Sequence, residues 1–526
     1  MTSGLRDFVL EAPAGDDDLA PVLAELSQAF MVASERGAPG SGAHHRTWLD
    51  TFDWRLYRAG LMLEFEQARR GGRLLLSKAD GTPQAEQPVT GWPPRRPPLD
   101  LPAGPVRDRI MVLTSPRALL PIVKAASTVS VTRLLNADGK TVARLVAEHL
   151  TVTSDGTTAE LPPRLAVAEV RGYPGQARRA ASLLAAVPGV SHASQSVFTA
   201  ALTALGRHPA AYTSGVEAEI TATMPASVAV ARLLLRLLDT VELNVDGVLR
   251  DIDTEFLHDL RVAVRRTRSA IKLLGEVLPA DLVEHYKTEF KWLGDLTTPT
   301  RDLDVHLLGF GSMTEQLIAA SPADLEPFRA FLVRRRAREF RRLAAALRGP
   351  RFRAITDDWR KALLEIRDVD GPRRRRPSAV ALALSTTGRS FRRIVAQGGA
   401  ITTDSPPESL HDLRKRTKEL RYLLEFFAPL HDPVAYRKVV SDLKQLQDCL
   451  GEFQDSEVQR HEIVDLADAM LAERAAPAAT LLAMGEIAAT LALSQAEART
   501  EFAARFARFA GPAGQERVRV LLEGRS

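Results

Sequence analysis

The sequence predicts a two-part α+β protein, in which an N-terminal antiparallel β domain precedes an all-α domain. Short β-like runs punctuated by Asp-Gly pairs fill the first two hundred residues, and amphipathic helical spacing begins near Pro225. The helical part also contains a gap-free internal repeat. A chain of 526 residues exceeds what one hydrophobic core usually organises. We therefore expect domains at 1–210 and 221–515, the second made of repeats 221–365 and 378–515.

The N-terminal part is predicted to form strands joined by hairpin turns. Asp80-Gly81, Asp138-Gly139 and Asp155-Gly156 fit such turns, because these residues tolerate a positive φ. The stretch Pro83–Pro105 holds eight prolines and predicts an exposed loop. The predicted strands are Leu61–Glu66, Leu74–Lys78, Val129–Leu135, Thr141–Val152 and Leu165–Arg171.

The helical part is interrupted by proline-rich or polar breaks. These lie at Ala319–Pro327, Asp370–Pro377 and Thr402–Pro407. The basic run Arg373–Arg376 therefore falls where a linker between two helical units is expected. The most apolar stretch, Ala475–Ser494, contains a proline and a glutamate, so it fits a packed helix better than a membrane span.

The repeat has a fixed offset of 153 residues and runs over some forty-five residues without a gap. It aligns His258-Asp-Leu-Arg261 with His411-Asp-Leu-Arg414. Such a register indicates the duplication of one helical unit of about four helices. The further matched pairs are Arg265 with Lys418, Arg268 with Arg421, Lys291 with Lys444, Leu293 with Leu446, Asp295 with Asp448, and Asp302 with Asp455.

Each repeat carries a row of basic residues on one face of a helix. In the first row the spacing is i, i+3, i+7, i+10 and i+14, which makes one continuous stripe beside an apolar stripe. Cations on one line repel one another, and a bound anion removes that repulsion. The first row is His258, Arg261, Arg265, Arg268 and Lys272, and the second row is His411, Arg414, Lys418 and Arg421. Glu425 stands where the second row would have its last cation.

A third basic stripe contains Arg334, Arg338 and Arg341, in a segment where nine arginines accompany the single acid Glu339. By the same reasoning as for the two rows, these three arginines are candidate polyphosphate-binding residues. A solvated arginine face is the alternative, because the second repeat lacks a comparable stripe. Lys291 and Lys444 recur in both repeats and are stronger candidates for anion binding.

Several classes of function are disfavoured. The single cysteine, Cys449, excludes an internal disulfide framework and fits a reducing cytoplasm. Neither His-x-x-Arg copy has the second histidine or carboxylate that zinc requires, and no phosphate loop, catalytic triad or redox motif is evident, so no metal or cofactor is expected. The net charge of +5 is small, with 23 basic against 21 acidic residues in 1–217 and 47 against 44 in the remainder. An anion site must therefore come from local charge segregation.

The segments HDLRVAVRRTRSAIKLL, WLGDLTTPTRDLDVHL and HDLRKRTKELRYLLEFF, in a duplicated helical setting, resemble the CHAD family, named for its conserved histidine α-helical domain. The resemblance covers roughly residues 221–515. It implies two four-helix bundles related by a pseudo-twofold axis, with basic helices facing a central groove that binds inorganic polyphosphate. The binding set that it implies comprises both rows together with Lys291 and Lys444.

The N-terminal part resembles, more weakly, the CYTH or triphosphate-tunnel family. The segments WLDTFDWRLYRAGLMLEFEQ, GRLLLSKADG and LAVAEVRGYPGQARRAASLLAAV carry this resemblance. The positions of the family's opening Glu-x-Glu-x-Lys are occupied here by Ser3, Leu5 and Asp7. Glutamates, Glu64 and Glu66, stand where the family has tunnel arginines. In a later pair of glutamates, the first is replaced by Val167 and the second is Glu169. Lys78, Arg133 and Arg171 remain as cations. Without its carboxylates a metal–triphosphate centre cannot hold Mg²⁺.

These patterns favour a non-catalytic, cytoplasmic polyphosphate-binding protein, with association with polyphosphate granules as a further expectation. The alternative is an enzyme, a tunnel-type triphosphatase or phosphoryl-transfer enzyme whose helical domain captures polyphosphate. A nucleic-acid binder is a third hypothesis, because phosphodiester backbones also suit a basic groove. The basic helices carry few aromatic residues for base stacking, Tyr422 being the nearest, which argues against single strands.

Overall fold

The computed structural model describes residues 5–11, 19–35, 37–38, 41–91, 97, 100–367 and 377–523. The chain forms two compact units, Met1–Thr213 and Ser214–Ser526. Two features of the sequence, Ser3 and the basic run Arg373–Arg376, lie outside the described residues.

The first unit is an antiparallel sheet that is partly covered by helices. The strands are β1 (Leu5–Leu10), β2 (Met31–Ser34), β3 (Gly42–Asp50), β4 (Leu61–Gln67), β5 (Gly72–Lys78), β6 (Pro83–Val89), β7 (Leu120–Leu135), β8 (Thr141–Ser154), β9 (Thr157–Glu169) and β10 (Val190–His192). Their order in the sheet is β10-β1-β9-β8-β7-β3-β4-β5-β6, with β2 paired to β7. The helices are α1 (Ala20–Ser27), α2 (Arg55–Arg58), α3 (Pro105–Thr114), α4 (Pro174–Ala186) and α5 (Val197–Ala204). All five predicted strands are confirmed, although the last ends at Glu169.

The hairpin between β8 and β9 shows why the sequence places a turn there. Asp155 and Gly156 both have positive φ, of 46° and 83°. Two consecutive residues with positive φ form the tight turn whose twist matches that of the flanking strands. The predicted turns at Gly81 and Gly139 also have positive φ, of 84° and 73°.

The prediction of an exposed loop at Pro83–Pro105 is wrong for the two ends of that segment. Pro83–Val89 forms β6, and α3 begins at Pro105. Strand β6 lies at the end of the strand order, and Pro88 is paired with Arg73 of β5. Proline is tolerated in such an edge strand because the missing N–H can face away from the sheet.

The apolar core of the first unit lies between the sheet and its helices. Phe8, Leu145 and Val167 pack with Leu184 of α4. Elsewhere on the sheet, the ring of Phe198 from α5 stacks on Trp48 at 5.6 Å. Because side chains alternate along a strand, the neighbours of these core residues, such as Arg164 beside Leu165, lie on the other face of the sheet.

The second unit consists of helices arranged as two similar halves. The first half contains α6 (Ala226–Leu249), α7 (Thr254–Leu274), α8 (Ala280–Leu308), α9 (Phe310–Glu315), α10 (Glu326–Leu347) and α11 (Pro350–Arg367), and the second contains α12 (Ala379–Gly399), α13 (Pro407–Phe426), α14 (Pro433–Ala472), α15 (Ala478–Ala510) and α16 (Pro512–Glu523). The first three helices of each half begin 153 residues apart. The offset found over some forty-five residues therefore extends across most of each half, which confirms the predicted duplication.

A reciprocal pair of backbone hydrogen bonds joins the two halves. The N–H of Ala226 donates to the carbonyl of Pro377 at 3.0 Å, and the N–H of Ala379 donates to the carbonyl of Met224 at 2.7 Å. Donors and acceptors differ by the same 153 residues, so each bond is the equivalent of the other. Such self-complementary contacts are typical of a twofold axis.

The apolar core follows the same symmetry. The second half encloses its own core, in which Leu413 and Leu420 of α13 pack with Leu443 of α14. A further cluster joins the halves, since Phe331 of α10 packs with Met484 of α15, the residue 153 positions later. By length and composition alone, helix α15 could cross a membrane, which by itself is weak evidence for a membrane span. Met484 of this helix lies in the core that joins the two halves.

Candidate functional site

A cavity of about 650 Å³ lies between the two halves of the helical unit, where α7 and α8 face α13. Seven of its lining residues are cationic and two, Glu284 and Glu419, are acidic. The cations are Arg265, Arg268, Lys272, Lys287, Lys291, Lys415 and Lys418. The structure therefore brings four predicted residues of the first half together with Lys418 of the second.

Arg265 and Lys418 are equivalent residues of the two halves, and both line the cavity. The Nε of Arg265 donates a hydrogen bond of 2.7 Å to the hydroxyl of Tyr422. Its guanidinium also lies 5.9 Å from the centroid of the Tyr422 ring. Tyr422 is almost fully buried, so it orients Arg265 without neutralising its charge.

The pKa of Lys418 reflects the burial and the positive charge of its surroundings. Burial and, after it, the nearby guanidinium groups of Arg414 and Arg265 together lower the pKa of its ammonium group to about 8. Among the described residues, no carboxylate forms an ion pair with Arg265, Arg268 or Lys418. Close cations without a partner destabilise one another, and a bound anion would relieve that repulsion.

Arg268 depends on a small residue of α8. A Cβ atom built on Gly294 would lie 2.8 Å from Nη1 of Arg268, so the absence of a side chain leaves room for the guanidinium. In the second half the equivalent pair is Arg421 and Gln447, and Nη1 of Arg421 donates to Oε1 of Gln447 at 3.4 Å. Arg421 also pairs with Glu425 at 2.7 Å. The two equivalent arginines therefore differ in their charge compensation.

Two ion pairs cross between the halves. Arg266 Nη2 lies 2.7 Å from Glu425, and Lys272 Nζ lies 2.5 Å from Glu419. Glu419 is the equivalent of Arg266, and Glu425 is the equivalent of Lys272, so the pairs are related by the pseudo-twofold axis. The first half supplies both cations and the second both carboxylates. This explains the acid at the end of the second row.

Arg261 and Arg414 are held by matched acids of the repeat. Nη2 of Arg414 lies 2.8 Å from Oδ1 of Asp455, and Nη2 of Arg261 lies 3.9 Å from Oδ1 of Asp302. Arg261 also donates to the hydroxyl of Thr298. Burial lowers the pKa of Arg261. Neither arginine lines the cavity among its described residues, and both lie one helical turn before residues that do.

The two histidines begin the basic rows at equivalent positions. Nδ1 of His411 hydrogen-bonds to Oε1 of Gln454. His258 is half-buried on α7 and also has an interaction partner. The described lining of the cavity includes neither ring. The shared-cavity prediction for the histidines therefore stays a prediction.

The remaining predicted residues lie elsewhere in the helical unit. Arg334, Arg338 and Arg341 lie on α10 and are exposed, with Arg338 paired to Glu473 at 3.0 Å. Arg334 lies over the ring of Phe331 at 6.0 Å. Lys444 is exposed on α14, and none of these four is among the residues described around the cavity.

Two lysines of the cavity were missed in the sequence. Lys287 lies one turn before Lys291 on α8, and Lys415 follows Arg414 on α13. Their equivalents, Val440 and Val262, are apolar, so a comparison of the repeats discards both lysines. Their position outside the apolar stripes is the signal that could have identified them.

In the first unit, two arginines of the sheet form ion pairs with glutamates. Arg46 of β3 lies 2.5 Å from Glu148 and 4.0 Å from Glu64, and Arg73 of β5 lies 2.7 Å from Glu66. Burial raises the pKa of Glu64, as expected for a carboxylate removed from water. Within the described part of the chain, no group of three or more His, Cys, Asp or Glu side chains could hold a metal ion.

The comparisons with known proteins agree with the duplicated helical unit. Residues 232–464 match the family model of the CHAD domain. The matched residues all lie in the helical unit, which therefore contains a CHAD domain. No curated protein matches the chain.

Three solved structures are similar to parts of the chain. The CHAD domain from the plant Ricinus communis is 23% identical over 59% of this chain and 96% of its own, with a TM-score of 0.43. PptA from Streptomyces chartreusis is 16% identical over 54% of this chain and 99% of its own, with a TM-score of 0.42. A putative adenylate cyclase from Bacillus halodurans is 13% identical over 37% and 93%, with a TM-score of 0.24. These scores are low, so the resemblance of the first unit to the CYTH family stays a resemblance.

Proposed function

We propose that the helical unit binds inorganic polyphosphate in the cavity between its two halves. The observation that carries the proposal is the lining of that cavity, with seven cations against two carboxylates. A local excess of cations attracts a polyanion even though the whole chain is nearly balanced in charge. The cavity volume of about 650 Å³ leaves room for several consecutive phosphates.

The lining favours a flexible phosphate chain over single-stranded nucleic acid. Nucleic-acid sites of that kind usually offer aromatic rings on which bases stack. Tyr422 is the aromatic residue among the described lining, and it is buried. The guanidinium groups of Arg265 and Arg266 lie 5.9 Å and 5.7 Å from the centroid of its ring, so this ring already contacts the protein's own cations.

The proposal assigns no catalytic role to the first unit. Its sheet arginines Arg46 and Arg73 are engaged by glutamates and are not left for a triphosphate. The same charges disfavour the alternative of a tunnel-type triphosphatase. A cytoplasmic location and recruitment to polyphosphate granules extend the proposal, and imaging a fluorescent fusion in cells with and without polyphosphate would test them.

Titration calorimetry of the full chain with long polyphosphate, tripolyphosphate and a DNA oligonucleotide at one salt concentration tests the function. We expect long polyphosphate to bind most tightly, because a long chain can contact cations of both halves at once. Its affinity should fall steeply with added salt as contacts to cations release counterions. Equal or tighter binding of DNA would replace polyphosphate with nucleic acid as the ligand.

A further inference from the structure

A second, smaller cavity adjoins the first on the helical unit and has a volume of about 80 Å³. Arg389 and Arg393 of α12 line it, together with Arg416 of α13. The side chains of Thr386 and Ser390 add two hydroxyl groups. Neither basic row predicted from the sequence includes any of these residues.

The charges of this second cavity are only partly compensated. Arg389 lies 3.9 Å from Glu276, and both side chains are about half exposed, so this ion pair is weak. Among the described residues, no carboxylate forms an ion pair with Arg393 or Arg416. Guanidinium groups bind phosphate oxygens through two parallel hydrogen bonds, which makes arginine well suited to phosphate.

Thr386 gives an independent indication of a ligand. Its side chain is 4% exposed, and its hydroxyl is buried without a hydrogen-bond partner among the described groups. A buried hydroxyl without a partner costs free energy, so such groups are rare in folded proteins. A phosphate oxygen in the cavity that Thr386 lines would accept a hydrogen bond from this hydroxyl.

The two cavities meet at one ion pair. Lys272 and Glu419 line both of them, and Nζ of Lys272 lies 2.5 Å from Oε1 of Glu419. Lys272 is 66% exposed and Glu419 is 16% exposed, so the lysine can turn away while the glutamate is held. An anion that continues from the first cavity would meet Lys272 before it reaches Arg389 and Arg393.

We propose that the second cavity is a phosphate subsite for polyphosphate chains long enough to extend past the first cavity across Lys272. The inference rests on the proposed function and adds a determinant of chain length. Chains that fill only the first cavity gain nothing from Arg389, Arg393 and Arg416. Longer chains gain these contacts without a second association step, which raises their affinity.

The test compares the full-length double variant Arg389→Ala/Arg393→Ala with the parent, using tripolyphosphate and long polyphosphate. We expect the affinity for long chains to fall about tenfold or more, as the loss of charge-assisted contacts predicts, and the affinity for tripolyphosphate to stay unchanged. Thr386→Val keeps the shape of the side chain and should weaken long-chain binding alone, by a smaller factor.

The control is Arg505→Ala/Arg519→Ala, which removes the same charge from exposed arginines of α15 and α16 that pair with glutamates on their own helices. It should leave both affinities unchanged. If Arg389→Ala/Arg393→Ala binds long chains like the parent, or weakens both lengths equally, the subsite is wrong while the proposed function stands. If the parent itself binds neither polyphosphate, the proposed function fails.

Discussion

Both units of this protein contain groups of arginines, but the two units differ in what surrounds those arginines. In the sheet, Arg46 lies against Glu148 and near Glu64. In the helical unit, Arg265 is oriented by a neutral tyrosine, and Arg268 is placed beside a glycine. The comparison teaches that the number of arginines does not distinguish a structural charge network from a ligand site. The balance of charge around each arginine does.

The same distinction applies within the basic rows. Arg261 and Arg414 are paired with aspartates that recur in both halves, whereas Arg265 and Lys418, one turn later, have no such partner in the described chain. The earlier residues of each row therefore stabilise the packing of α7 on α8 and of α13 on α14. We expect the later ones to provide charge for a ligand.

The largest expected effect comes from removing the uncompensated cations. Arg265→Ala/Arg268→Ala/Lys418→Ala should weaken long-polyphosphate binding by several kcal/mol, since each hydrogen bond to a charged group contributes about 1.5–3 kcal/mol. The helices should remain folded, because the substitutions remove mutual repulsion. Calorimetry measures the affinity, and circular dichroism measures the helix content. Parental affinity in a folded variant would show that the cavity is not the site.

A matched variant on α10 sharpens this comparison. Arg334→Ala/Arg338→Ala/Arg341→Ala removes the same formal charge from exposed residues that lie outside the described cavity lining. We expect a much smaller loss, confined to low salt, because exposed charges act only over about 10 Å at 0.1 M ionic strength. A loss as large as that of the cavity variant would add the α10 stripe to the binding site.

A smaller effect is expected from pH, through Lys418. Its pKa is about 8 in the free protein, and a bound polyanion should raise that pKa, so binding takes up a proton. Affinity should therefore fall by up to about tenfold from pH 7 to pH 9 as free Lys418 loses its proton. Lys418→Arg keeps its charge and should remove this part of the dependence. An identical pH profile in both proteins would contradict the assignment.

The lowered pKa of Lys418 also predicts that folding stability changes with pH in the opposite direction to affinity. Its pKa in the folded protein lies below 10.5, the ordinary value for a lysine, so the unfolded chain binds more protons between about pH 8 and pH 10.5. The contribution of Lys418 to the free energy of unfolding therefore rises with pH over that range. Urea unfolding of the parent and of Lys418→Arg, compared at pH 8 and pH 10, isolates this contribution. We expect the free energy of unfolding of the parent, relative to that of Lys418→Arg, to be larger at pH 10 than at pH 8. A smaller relative value at pH 10 would contradict the prediction.

The sequence predicted the architecture well because the repeat records it directly. An offset measured between His258 and His411 also relates the first residues of three pairs of helices and the hydrogen bonds at the pseudo-twofold axis. The strands were predictable from their turns, since Asp155-Gly156 needs positive φ at both residues. The strand at Pro83–Val89 was missed, because proline content does not show that a segment will lie at a sheet edge.

The site was predicted less completely, for a reason that the repeat itself supplies. Duplicated residues identify what the halves share, but the cavity takes α7 and α8 from one half and only α13 from the other. Lys291 therefore lines it and its equivalent Lys444 does not. Partners such as Glu419 for Lys272 depend on how helices from different halves pack, which helical spacing alone cannot give.

The smallest expected effect is on triphosphate hydrolysis by the first unit, where we expect none above background with Mg²⁺ or Mn²⁺. Val167, at the position where the CYTH resemblance calls for a glutamate, is buried in the apolar core with Leu145 and Leu184. A carboxylate there would be placed in that core and not beside a metal ion. A phosphate-release assay over a range of protein concentrations measures the rate. A rate of phosphate release that scales with protein concentration and disappears in Glu169→Gln would contradict this prediction. The first unit, in which arginines are paired with glutamates, would then be catalytic.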